Sequence, residues 1–201
     1  DVCSSDLSGV DFLRDVNLDK AGKLLGDVVV VGGGNVAADV ARTALRCTDG
    51  KVTILCLEQR EEMPAAKDEV AEILAEGIEI NNGWGPKEVL TEDGKVTGLV
   101  FKRCTRVYDE QHRFSPVYDE NDTLTVPCAH VLMAIGQSAV WGDLLKGSKV
   151  VLRPNGTAEA DPVTLQTGEP DIFVGGDIFH GARFAIDAIA DGREGMVSLN
   201  R

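Results

Sequence analysis

The sequence predicts an α/β fold in which a parallel sheet is interrupted by an antiparallel excursion and followed by a separate strand-and-helix segment. Three observations carry that prediction. The run Val28-Val29-Val30-Val31 stops at Gly32-Gly33-Gly34 and is succeeded first by helical and then by strand periodicity, the order of a βαβ unit. From Val96 onward the apolar spacing changes to period two, the mark of strands with one face in solvent. Beyond Trp141 the chain becomes rich in turn residues before a final strand and helix.

Taken in order, residues 1–7 are set aside: Asp1-Val2-Cys3-Ser4-Ser5-Asp6-Leu7 back-translates to a common short-read sequencing adapter, so the reading frame is expected to begin inside a gene. Residues 8–25 are read as a lead-in. Gly26-Asp27 precedes the four valines, whose branched side chains suit a strand buried on both faces. Residues 35–46 then place Val36, Val40 and Ala44 at helical spacing, and Val52-Thr53-Ile54-Leu55-Cys56-Leu57 supplies the second strand. Pro64 is expected to open a helix through about Ala75, stopped at Gly77 and followed by a short strand at 78–80.

Period-two segments at 96–107 and 123–126, joined by the polar stretch 108–122, form the antiparallel excursion. His130-Val131-Leu132-Met133-Ala134-Ile135 returns to a buried strand that ends at Gly136-Gln137. Turn signals at Arg153-Pro154-Asn155-Gly156 and Gly168-Glu169-Pro170 put a domain boundary near residue 147. The first domain is thus expected over 26–147. The remainder, 148–201, holds a strand at 171–174, a Gly175-Gly176-Asp177 turn and a helix from about Ala182 to Leu199.

Composition removes several functions. Twenty Lys and Arg against 33 Asp and Glu leave a net charge of −13, which repels a phosphate backbone and argues against nucleic acid as a partner. No apolar run approaches the roughly 20 residues of a membrane span, so no membrane partner and a cytoplasmic location are expected. The five cysteines, Cys3, Cys47, Cys56, Cys104 and Cys128, contain no closely spaced pair; no metal site, iron–sulfur cluster or redox dithiol is signalled, and they read as structural thiols. His130 and His180 also read as structural.

Gly32-Gly33-Gly34-Asn35-Val36-Ala37 fits G-x-G-x-x-A directly after a strand and at a helix start. Gly32 permits the tight turn, Gly34 lets backbone N–H groups approach a pyrophosphate, and Ala37 lets the helix pack close to the strand. The helix N-terminus adds unpaired donors and a partial positive charge. The domain therefore reads as a Rossmann-like, three-layer, NAD(P)-binding domain. Glu58, about 24 residues after Gly34, stands where an acid accepts from the ribose 2′-hydroxyl of NAD and repels the 2′-phosphate of NADP. Arg60, two residues on, argues the other way.

Four segments in this order, VVVVGGGNVAADVARTALR, REEMPAAKDEVAEILAEGI, AIGQ and DIFVGGDIFHGARFAIDAIADG, resemble the glutamate synthase small-subunit family of FAD-dependent oxidoreductases, within the wider pyridine nucleotide–disulfide oxidoreductase superfamily. The resemblance spans about residues 9–201. It implies that the C-terminal segment belongs to an FAD-binding domain: Asp177 would meet the ribityl chain, with Gly175 and Gly176 allowing close approach. Backbone groups near Ala182, Arg183 and Phe184 would stabilise negative charge on the reduced ring through the helix dipole. Backbone contact from Ala134, Ile135 and Gly136 is also implied.

The implied reaction passes a hydride from NAD(P)H to FAD, and electrons then go to an iron–sulfur or partner-protein acceptor, an electron-accepting subunit or domain. Hydride transfer of this kind relies on stacking and orientation, so no catalytic side chain is assigned. NADPH-preferring members carry Tyr-Arg-Arg where this chain has Cys56-Leu57-Glu58, which favours NADH. Met63-Pro64-Ala65 is shared with the family and reads as helix initiation. The family's ADP-binding half and its iron–sulfur cysteines would lie in parts absent from this sequence, so the fragment is expected to bind dinucleotide weakly and to be inactive alone. An alternative from another class is a stand-alone NAD-binding sensor or interaction module without flavin; it leaves the Asp177 segment unexplained. A disulfide reductase lacks its cysteine pair.

Overall fold

The computed structural model describes residues 6–199. Its elements in chain order are β1 (Asp6–Ser8), α1 (Gly9–Asn17), β2 (Val28–Val31), α2 (Asn35–Cys47), β3 (Val52–Cys56), a 3-10 turn (Arg60–Glu62), α3 (Lys67–Ala75), β4 (Glu79–Asn82), β5 (Trp84–Glu92), β6 (Lys95–Tyr108), β7 (Phe114–Pro127), β8 (His130–Met133), α4 (Asp177–His180) and α5 (Ala185–Leu199). They fall into two compact units, one ending at Ile135 and the other beginning at Gly136.

The first unit is built on a parallel sheet of order β1-β8-β2-β3-β4. The central strand β2 explains why four consecutive valines were selected: alternate side chains enter different cores. Val28 and Val30 join Phe12, Val40, Ala41, Ile54, Ile73 and Leu132 on the face covered by the helices. Val29 and Val31 join Leu55, Trp84, Leu99, Phe101 and Val131 beneath the antiparallel sheet of order β5-β6-β7. Helices, parallel sheet and antiparallel sheet make the three layers anticipated from the sequence. Sealing on both faces leaves no polar position on the central strand.

Several local expectations change. Residues 1–5, with Cys3, lie outside the described residues, but Asp6 and Leu7 are not outside the fold: they pair with Val131 and Leu132 in β1. Such pairing uses backbone groups that any non-proline residue supplies, so it says nothing about the origin of the side chains. The lead-in contains α1, whose Gly9, Phe12, Leu13 and Val16 face the core at helical spacing. The excursion has three strands, since Trp84–Glu92 pairs with β6 and β7 runs through most of the stretch read as a polar connection. Pro64 does not open α3. That helix begins at Lys67, and Ala66 before it is extended (φ −59°, ψ 144°) because the backbone of 65–66 bonds elsewhere.

The second unit has little regular structure before its helices. Ala158, Leu165, Val174 and Phe179 form its core, with Trp141, Val150 and Ile172 packed around them. Trp141 Nε1 donates to Gly156 O at 2.8 Å, which ties the segment after Ile135 to this unit and moves the division upstream of residue 147. The segment 171–174 makes only an isolated bridge at Phe173. The final helix begins at Ala185 rather than Ala182, preceded by the short α4.

Candidate functional site

The first site is assembled where β2 ends. Connections from β2 lead through α2 to β3 on one side, while β8 lies on the other side of β2. The carboxyl end of such a strand is where open α/β sheets place ligands. The three glycines there differ in kind. Gly32 has φ +142° and donates its N–H to Leu55 O at 2.9 Å; a Cβ on it would collide with the Ala134 carbonyl. Gly33 is buried, and a Cβ there would lie 2.7 Å from Glu58 Oε2. Gly34 caps α2 in an extended conformation (φ −95°, ψ 178°), and a Cβ on it would meet nothing within 4 Å.

Around that turn, the Gly34 carbonyl accepts from Ala37 and Ala38, starting the helix. Among the described residues, no side chain caps α2. Its first N–H groups are therefore available to an anion. Ala37 is 1% exposed and half-buried Val36 packs against the same core, so both serve the helix–sheet junction. Asn35 Oδ1 accepts the Ala66 N–H at 2.8 Å, and the Gly33 carbonyl accepts the Ala65 N–H at 3.0 Å. Nothing in the sequence motif announced these two bonds. Their only trace is the Met63-Pro64-Ala65 segment.

Glu58 follows β3 and is buried, with its carboxylate beside Gly33 as just described. Its carbonyl accepts from Gly83 N–H at 3.2 Å and Asn82 Nδ2 at 3.0 Å, holding the end of β3 against β4. Arg60 opens the 3-10 turn, where Gln59 and Glu62 form a capping box. Its Nη1 is buried and, among the described residues, has no hydrogen-bond partner. A buried guanidinium nitrogen without an acceptor is costly. Burial, with the Glu58 carboxylate second, pushes the Cys56 thiol up to about 12, while Arg60 acts against that shift. The thiols of Cys56, Cys104 and Cys128 are free and buried, and burial raises all three above the ordinary range, so they stay neutral.

A cavity of about 260 Å³ adjoins this segment, between Leu57, Gln59 and Glu62 on one side and Tyr108, Asp109 and His112 on the other. The sequence did not announce it, because its walls come from the 3-10 turn and the β6–β7 hairpin.

Ala134 closes the strand end by donating to Val31 O at 2.8 Å and by crowding Gly32 with its carbonyl. Ile135 is 66% exposed, and Gly136 (φ +116°) begins the second unit. Within that unit, Gly176 has φ +63° and donates to Asp191 Oδ2 at 2.6 Å; the same oxygen pairs with His180 Nε2 at 3.3 Å. Asp177 starts α4 on the surface, and its Oδ1 accepts the Arg183 N–H at 3.2 Å. Ala182, Arg183 and Phe184 are exposed in the loop before α5.

A family model described as pyridine nucleotide-disulphide oxidoreductase matches residues 4–192. The chain is 40% identical over 200 residues to the NADP(+)-dependent formate dehydrogenase subunit beta of Moorella thermoacetica, covering 97% of this chain and 28% of that protein. It is 33% identical over 198 residues to the glutamate synthase [NADPH] small chain of Azospirillum brasilense, covering 95% and 39%. Among solved structures, thioredoxin reductase from T. acidophilum aligns with a TM-score of 0.71 at 23% identity, over 96% of this chain and 56% of that one. Mycobacterium tuberculosis FprA in complex with NADPH aligns with the same score at 17% identity, over 96% and 58%. At those identities the structural likeness speaks for the fold alone. In every case this chain spans well under two thirds of the relative.

Proposed function

This chain belongs to the pyridine nucleotide-disulphide oxidoreductase family, and from that premise we propose that it is the nucleotide-binding portion, with a flavin-contacting tail, of an enzyme that passes a hydride from NAD(P)H to FAD. Electrons then leave for an iron–sulfur or protein acceptor, as in enzymes resembling the glutamate synthase small subunit. The observation that carries the nucleotide half is Gly34: it has open space on the side a Cβ would fill, at an uncapped helix start beside the buried carboxylate of Glu58. Neighbouring glycines have packing reasons to be glycine, and Gly34 has none. Close approach of a pyrophosphate supplies one.

The fit to the dinucleotide is local. Gly34, Asn35 and Val36 offer backbone donors to the pyrophosphate, and Glu58 accepts from an adenosine ribose hydroxyl. The preference for NADH that Glu58 suggested is not retained. Arg60 lies two residues on with a buried nitrogen that has no partner among the described residues, and two relatives are named for NADP(+) and NADPH. The proposal is a site that takes NADPH as well as NADH, with Arg60 answering the 2′-phosphate. FAD, when bound, supplies the ring that accepts the hydride. Asp177, exposed and with one carboxylate oxygen engaged by Arg183, is the residue proposed to bind its ribityl hydroxyls, and the loop at 182–184 lies next to it in sequence.

Titrating the chain with NADH and NADPH tests the nucleotide half. Both are expected to bind, and Arg60→Ala is expected to weaken NADPH about tenfold while changing NADH little. Absence of binding by either coenzyme overturns the reading, and an Arg60→Ala variant that loses both equally overturns the assignment of the phosphate.

A further inference from the structure

We infer that residues 63–66 act as a strap that sets the orientation of the phosphate-binding turn, with Asn35 as the positioning residue that fastens it. The inference rests on the nucleotide reading of the Gly34 turn and says what holds that turn in shape. Its basis is a pair of backbone donors from one segment on adjacent acceptors of another: the Ala65 N–H on the Gly33 carbonyl at 3.0 Å and the Ala66 N–H on Asn35 Oδ1 at 2.8 Å.

The first bond fixes a peptide plane. Among the described residues there are no cis peptide bonds, so the Gly33–Gly34 peptide is trans, and the Gly34 N–H points opposite to the Gly33 carbonyl. Engaging that carbonyl with Ala65 therefore directs the Gly34 N–H away from the strap. Among the described residues that N–H has no hydrogen-bond partner, as a donor kept for an anion would be. A glycine pair without the strap could rotate this peptide at little cost, since glycine lacks the Cβ that restricts φ and ψ.

The second bond explains why the first persists. Ala65 and Ala66 present only backbone, so their hold on the turn would depend on packing of Ala65, which is buried. Asn35 adds a side-chain acceptor one residue after Gly34 and catches the next N–H along the strap. The required feature of Asn35 is thus an oxygen. The strap also accounts for Met63-Pro64-Ala65 without assigning it to helix initiation: Pro64 favours an extended residue before it and restricts φ in a segment that bends at 64–65 as it passes the turn, and Met63 is extended at φ −57°, ψ 131°.

Calorimetric titration of the 201-residue chain with ADP-ribose, below the melting temperature of each variant, tests the strap. Asn35→Ala removes the acceptor, and Ala66→Pro removes the donor at a residue whose φ of −59° suits proline. Each is expected to weaken binding about fivefold, and the double variant no more than either single one, because both delete the same bond. Asn35→Ser keeps a neutral side-chain acceptor and is expected to recover part of the affinity lost in Asn35→Ala. The strap is overturned if Asn35→Ala lowers the melting temperature but binds ADP-ribose as the parent does, which marks a purely structural bond. A parent chain that fails to bind ADP-ribose ends the nucleotide reading itself, and the strap with it.

Discussion

The two glycine turns of this protein, Gly32-Gly33-Gly34 in the first unit and Gly175-Gly176 in the second, look alike in sequence and differ in what surrounds them. At Gly175 a Cβ would lie 2.6 Å from Asp191 Cβ, and at Gly176 2.9 Å from Ala188 Cβ, so the crossing of α5 over the turn requires both glycines. At the first turn, Gly32 is required by the Ala134 carbonyl and Gly33 is crowded by Glu58, but Gly34 is required by nothing among the described residues. The difference teaches that a glycine motif is evidence for a ligand only after the protein's own packing has been subtracted. The subtraction leaves Gly34 in the first turn and no glycine in the second, where the flavin proposal rests on Asp177 and family membership.

That comparison can be broken by substitution. The largest effect is expected from Gly32→Ala, which combines a positive φ with a backbone collision: a loss of about 3 kcal/mol or more in urea unfolding. A variant that unfolds like the parent would show that the turn is free to move. Next comes Gly176→Ala, at about 2 kcal/mol, from overpacking against Ala188 and the positive φ; fluorescence of Trp141, which lies in the same unit, follows it.

A smaller effect concerns how α2, which carries the first turn, is held to α3. Glu76 takes Arg42 Nε at 2.8 Å and Arg46 Nη1 at 3.0 Å, and Arg42 also reaches Glu72 at 2.7 Å. Hydrogen bonds from Arg46 and Arg42 hold the Glu76 carboxyl below its usual 4.5. A depressed carboxyl stabilises the fold fully above that value, and the contribution is lost as pH falls below 4.5 through the folded pKa. Melting curves between pH 6 and pH 3 should show acid softening that Glu76→Gln removes, and an unchanged slope in that variant would assign the softening elsewhere. The smallest effect on folding is expected from Gly34→Ala, within about 0.5 kcal/mol, yet it should cost dinucleotide affinity about tenfold or more. A stable variant with undiminished affinity would remove the main support for the nucleotide proposal.

Legibility in the sequence followed the physics of each element. The parallel core was readable because β2 is buried on both faces, which demands an unbroken apolar run and leaves no alternative pattern. The antiparallel sheet was half readable: β6 carries the buried apolar residues Val96, Leu99 and Phe101 despite bulges that interrupt its alternation, whereas β7 carries Asp119, Glu120 and Asp122 and is mostly exposed, so its strand state comes from pairing with β6. The helical spacing of Phe12, Leu13 and Val16 was present in the lead-in, and α1 went unread because it is only nine residues long. At the proposed site, spacing alone singled out Gly34 and Glu58 as candidates. The bonds from 65–66 were not readable, since backbone donors leave no mark on residue identity.

By itself the sequence determined the layered α/β fold, the nucleotide fingerprint and the family, because hydrophobic periodicity and glycine spacing are local properties that survive without knowledge of neighbours. Tertiary structure decided which glycine is spare, that Arg60 keeps a buried nitrogen without a partner among the described residues, and that residues 63–66 bind the turn rather than begin a helix. Each of those depends on which atoms far apart in the chain come within a few ångströms, and no spacing rule encodes that.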